Sequence, residues 1–60
     1  AEYDYSKAIE LKPLNTDLRL NRANVRILMK RKTEAREDLD EMVKLGVPRA
    51  NLIEWYRKCK

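Results

Sequence analysis

Apolar residues recur along the chain at three- and four-residue spacing, the pattern of helices that bury one face. From Ala1 to Lys12, the residues Ala1, Tyr5, Ala8, Ile9 and Leu11 fall near that spacing, and Pro13 discourages continuation, so a first helix is expected there. Pro13-Leu14-Asn15-Thr16-Asp17 supplies a turn, with Asn15, Thr16 or Asp17 able to cap the next helix through a side-chain oxygen. A second helix is placed from about Leu18 to Arg31. No glycine or proline separates it from the next segment, so the bend is expected at Arg31-Lys32-Thr33, with Thr33 capping a third helix over residues 33–45. Gly46 then stops the chain in the left-handed conformation glycine tolerates, and Pro48 opens a fourth helix running to the end. On it Leu52, Ile53, Tyr56 and Cys59 share one face, with Trp55 beside them.

Composition supports an all-α chain. Of 60 residues, 43% are hydrophobic and 40% charged, with one glycine, two prolines and no phenylalanine, a mixture rich in helix formers and poor in strand signals. A domain of this length buries only about 60% of the surface its unfolded chain exposes, so one small helical layer is the most it can build. One cysteine, Cys59, forms no internal disulfide, and the absence of histidine removes the usual zinc and catalytic-triad members. No cofactor or metal is expected, and no catalysis. No run approaches the roughly 18 apolar residues of a membrane-spanning helix. The compartment is not encoded here; a soluble, cytoplasmic chain is the default expectation.

Compared with itself at a separation of about 34 residues, the chain repeats. Ala1, Asp4 and Leu11 meet Ala35, Asp38 and Leu45, while Tyr5, Ala8 and Ile9 meet Leu39, Met42 and Val43. With this period, AEYDYSKAIELKP resembles the second helix of a tetratricopeptide repeat: Ala1, Tyr5, Ala8, Ile9, Leu11 and Pro13 stand in that family's order. Asn21-Arg22-Ala23 matches the small-residue centre of its first helix, and Ala35 and Leu39 resume the second-helix pattern. The resemblance covers residues 1–46. It implies antiparallel helix-turn-helix repeats in an α-solenoid fragment of about four helices: residues 1–13 as the second helix of a truncated repeat, 14–46 as one complete repeat, and 47–60 as a C-terminal capping helix. It also implies the C-terminal end of a longer array. Arg19 and Arg26 depart from the family by occupying places usually given to bulky aromatics, Arg22 fills a usual leucine place, and Lys32 stands where an aromatic often marks the bend. Their methylene stems can lie on apolar neighbours while the charge stays in water.

The resemblance implies a protein-protein interaction scaffold whose first helices hold a peptide segment or mediate assembly. Asp17, Leu20, Asn21, Asn24, Ile27 and Leu28 are the candidates for that surface. An asparagine side chain donates and accepts at once, which suits the backbone of an extended peptide. Some family members clamp a partner's C-terminal carboxylate with asparagines and lysines. Asn21 and Asn24 fall at matching places, but Asp17 and Leu20 replace the lysines, and no such clamp is expected. The partner's identity is not encoded.

The alternative function is a basic module for nucleic acid or an anionic surface, because Arg19, Arg22, Arg26 and Lys30 share one face of the second helix. Glu34, Glu37, Asp38, Asp40 and Glu41 make the third helix acidic, so pairing within the hairpin is the favoured reading and nucleic acid is disfavoured. Tyr3, Tyr5, Trp55 and Tyr56 are read as packing residues, Cys59 as structural, and Glu37 and Glu41 as a solvated helix face. Finally, the first helix lacks a preceding partner, which would leave Tyr5, Ala8 and Ile9 uncovered and favour self-association.

Overall fold

A computed structural model describes residues 1–60 as an all-α chain: α1 (Glu2–Leu11), α2 (Thr16–Leu28), α3 (Lys32–Lys44), a 3₁₀ turn (Arg49–Leu52) and α4 (Ile53–Lys58). Each helix packs on its sequence neighbours, α1 on α2, α2 on α3 and α3 on α4, giving helix-turn-helix packing in a flat body of 28 × 26 × 13 Å.

The helix ends explain the boundaries. Glu2 and Asp4 place negative charge in the first turn of α1, where the helix dipole favours it. Lys12 precedes Pro13 and leaves the helical region at φ −135°, ψ 71°, as a residue before proline tends to do. Asn15 caps α2: its side-chain oxygen accepts from the backbone N–H groups of Asp17 at 3.0 Å and Leu18 at 3.4 Å.

Two successive helices then end in the same motif. At α3 the Val47 N–H donates to the Met42 carbonyl and the Gly46 N–H to that of Val43, with Gly46 at φ +110°. At α2 the Arg31 N–H donates to the Arg26 carbonyl and the Lys30 N–H to that of Ile27, with Lys30 at φ +64°. Both are Schellman caps, but the second places a lysine where glycine has no steric cost. This corrects the expected bend. The chain turns at Met29-Lys30-Arg31, two residues early, and Thr33 lies inside α3 without capping it.

The core draws on three segments. Ala23 of α2 and Ala35 of α3 are both fully buried, and their small side chains let the two helices approach closely. Leu39 and Met42 continue the α3 face onto Leu52 and Cys59, with Leu20, Ile27, Val43, Val47, Trp55 and Tyr56 half-buried around them. Burying Leu39 alone contributes about 2–3 kcal/mol. The fourth helix is shorter than expected, because a 3₁₀ turn precedes it. That turn rotates Ile53 outward to 48% exposure while Leu52 and Cys59 point inward.

On α1, Ile9 is 6% exposed and Tyr5 and Ala8 are half-buried. The exposed apolar residues at this end are Tyr3, Leu11 and Leu14, while of the surface expected to drive self-association Ile9 is covered within the chain and Tyr5 and Ala8 are covered in part.

Candidate functional site

Helix α2 carries two distinct faces. Asp17, Asn21, Asn24 and Leu28 are spaced four, three and four residues apart, which aligns them in one stripe along the helix. Asp17, Asn21 and Leu28 are exposed and Asn24 is half-buried. Leu20 and Ile27 flank the stripe and pack against the core, so they support this surface from beneath. No side chain of the stripe makes a hydrogen bond within the chain: the Asn15 cap engages the backbone N–H of Asp17 and leaves its carboxylate free.

The opposite face of α2 is a charged network. Arg22 donates to both carboxylate oxygens of Asp38 on α3, through Nε to Oδ2 at 3.0 Å and through Nη2 to Oδ1, and its Nη1 reaches the Ser6 hydroxyl of α1 at 3.2 Å. One turn on, Arg26 donates from Nη1 to the same Asp38 at 3.0 Å and to the Glu34 carbonyl at 3.3 Å, and from Nε to Glu2 of α1 at 2.7 Å. Arg31, in the turn, joins Glu2 to Glu34. Asp38 is 2% exposed, and the guanidinium-bearing side chains of Arg22 and Arg26 keep 15% and 16% of their exposure.

The hydrogen bonds that Arg22 donates to Asp38 raise its pKa against the opposing effect of burial. The bond from Arg26 holds the Glu2 carboxyl below its ordinary value, with burial opposing and Arg31 assisting.

This geometry corrects the basic stripe. Of Arg19, Arg22, Arg26 and Lys30, two are turned inward onto carboxylates, Arg19 is half-buried, and Lys30 lies beyond the end of α2 in the turn. The pairing expected within the hairpin is present. Its hub, Asp38, is not singled out by the charge pattern, although a signal exists: the 35, 38, 39, 42 spacing puts one acid on the buried face of α3, where an aspartate requires a partner.

Elsewhere, the Tyr56 hydroxyl donates to Asp40 at 2.7 Å, and burial together with this bond pushes the phenol above its usual value. Lys58 sits 4.6 Å above Trp55, Arg49 5.2 Å above Tyr56 and Lys7 5.7 Å above Tyr3, so three of the four aromatics cover cations at separate places. Cys59 is fully buried, and burial raises its thiol, which disfavours the reactive thiolate. Glu41 approaches Lys44 at 3.9 Å, and Glu37 is exposed. Acidic and cysteine side chains nowhere gather as a set able to hold a metal ion, and no helix is long and apolar enough to cross a membrane. No protein-family model, curated protein or solved structure matches the chain.

Proposed function

We propose that the chain is part of a non-catalytic interaction scaffold, resembling a tetratricopeptide array, that holds an extended peptide against α2. The observation that carries this reading is the stripe of Asp17, Asn21, Asn24 and Leu28, whose polar groups are unengaged within the chain while Arg22 and Arg26 on the opposite face of the same helix are held in ion pairs. Two asparagines separated by about one turn can pair with successive amides of an extended backbone, and Leu28 adds an apolar contact. The inward arginines leave less positive charge for nucleic acid or an anionic surface, so the peptide reading has the stronger support.

The test is selection of binders from a random displayed peptide library, followed by amide chemical-shift mapping on the isotope-labelled chain. The largest shifts are expected at residues 17–28, with affinity that changes little with salt and falls about tenfold in the Asn21→Ala/Asn24→Ala double variant. Binders that map elsewhere, or that ignore both substitutions, would overturn the assignment.

A further inference from the structure

The corner where α1 turns into α2 combines exposed apolar surface with unpaired positive charge. Leu11 and Leu14 are 83% and 78% exposed, the two highest values among the large apolar side chains. They flank Lys12 and Pro13, both also exposed. Arg19 lies against this corner, its Nη2 reaching the Pro13 carbonyl at the long distance of 3.4 Å.

Arg19 differs from its neighbours one and two turns along. Arg22 and Arg26 each find carboxylates, whereas Arg19 forms no ion pair, and its Nε–H is shielded from solvent without an acceptor. Nε is covered by the chain itself and closed to an outside group, but Nη1 makes no hydrogen bond and is not shielded, which leaves the cation able to take an anionic group there. Nearby acids do not supply one. Glu10 approaches Lys7 at 3.6 Å, and Asp17 is two residues from Arg19 and so on the other side of α2. Lys12 is likewise outside every ion pair.

We propose that this corner docks an acidic, leucine-bearing peptide segment of a partner protein, with its carboxylate on Arg19 and Lys12 and its apolar side chain on Leu11 and Leu14. This surface is separate from the α2 stripe, and its occupant is chosen by charge. A carboxylate can meet the unshielded Nη1 of Arg19 and the Lys12 ammonium, and the adjacent leucines give a flanking apolar side chain a place to leave water. Nucleic acid fits poorly, because the apolar part of the corner offers no aromatic platform for bases.

The experiment titrates the isotope-labelled chain with the blocked peptide Glu-Leu-Glu-Glu-Leu-Glu and follows amide shifts. Shifts are expected at residues 11–19. Affinity should fall about tenfold in Arg19→Gln and severalfold in Leu14→Ser, and should weaken as salt is raised from about 0.05 M to about 0.5 M. The matching Lys-Leu-Lys-Lys-Leu-Lys peptide should not bind. Leu14 is too exposed for its serine variant to disturb folding, so that variant carries the test if Arg19→Gln alters the helix content. Absence of binding at millimolar peptide, shifts confined to Asn21 and Asn24, or affinity unchanged in both variants would overturn the proposal. So would self-association of the chain that both variants abolish, which would make a second copy the occupant.

Discussion

The two ends of the helix stack are joined by different physics. Between α1 and α2 the one buried apolar side chain contributed by α1 is Ile9, with Tyr5 and Ala8 half-buried, and polar contacts join the helices around it: Glu2 to Arg26 and Arg31, and Ser6 to Arg22. Between α3 and α4 the seam is centred on Leu39, Met42, Leu52 and Cys59, with polar bonds only at its edges, from Tyr56 to Asp40, from Arg36 to the Cys59 carbonyl and from Lys32 to the Lys60 carbonyl. The first seam relies on directional contacts that salt and protons weaken, whereas the second relies on exclusion of water. Asp38 connects the two, because α3 buries its carboxylate beside the same core that Leu39 fills.

The comparison can be broken from either side. Leu39→Ala should have the largest effect, a loss of about 2–5 kcal/mol in chemical denaturation, enough to unfold most of a domain this small. Next comes Asp38→Ala, which strands two largely buried arginines and should cost about 3 kcal/mol. Its signature is a loss of α1 protection in hydrogen exchange along with the global destabilisation.

Acid should act on the charged seam first. Because the Glu2 carboxyl is depressed in the folded chain, its contribution is complete above the 4.5 of an ordinary glutamate and is withdrawn as pH falls through the lower folded value. Amide exchange in α1 should accelerate in that window while the α3–α4 seam holds, and Glu2→Gln should remove the sensitivity. An α1 that exchanges no faster in acid than α4 would erase the distinction between seams.

At the apolar seam, Tyr56→Phe should cost about 1 kcal/mol by thermal melt. The phenol is raised, so its contribution is present below the ordinary 10.0 and lost as pH climbs toward the higher folded value, a change readable in phenolate absorbance. The smallest effect is a gain: Lys30→Gly should stabilise the chain by about 0.5–1 kcal/mol, because glycine adopts φ +64° without steric cost.

That lysine also shows where sequence reading stops. Gly46, Asn15 and Pro13 mark helix ends through local chemistry, and the ends they mark are placed from sequence within about two residues. The α2–α3 turn has the same hydrogen bonds as the one at Gly46 but no residue that advertises them, so sequence alone sets it two residues late. The two closing backbone hydrogen bonds accompany a left-handed Lys30 there, and propensity does not reveal it. Ala23, Ala35, Leu39 and Met42 are legible as a core from their spacing. Ile53 is not legible as a surface residue, because a 3₁₀ turn advances each residue by more than an α-helix does and shifts the helical phase from Ile53 onward. At the α2 surface, the sequence identifies the right helix but groups Leu20 and Ile27 with the exposed stripe. Which acid Arg22 and Arg26 choose depends on the rotation of α3 about its axis.

The neighbour-on-neighbour order of the helices has a kinetic consequence. With α1, α2, α3 and α4 each meeting mainly the segment next in sequence, few distant residues must find one another before contacts begin to form. Loop closure is brief at every step, and such topologies fold in microseconds to milliseconds. The α2–α3 hairpin, with its two buried alanines and the Asp38 bridge, is the expected nucleus, to which α1 and α4 then add.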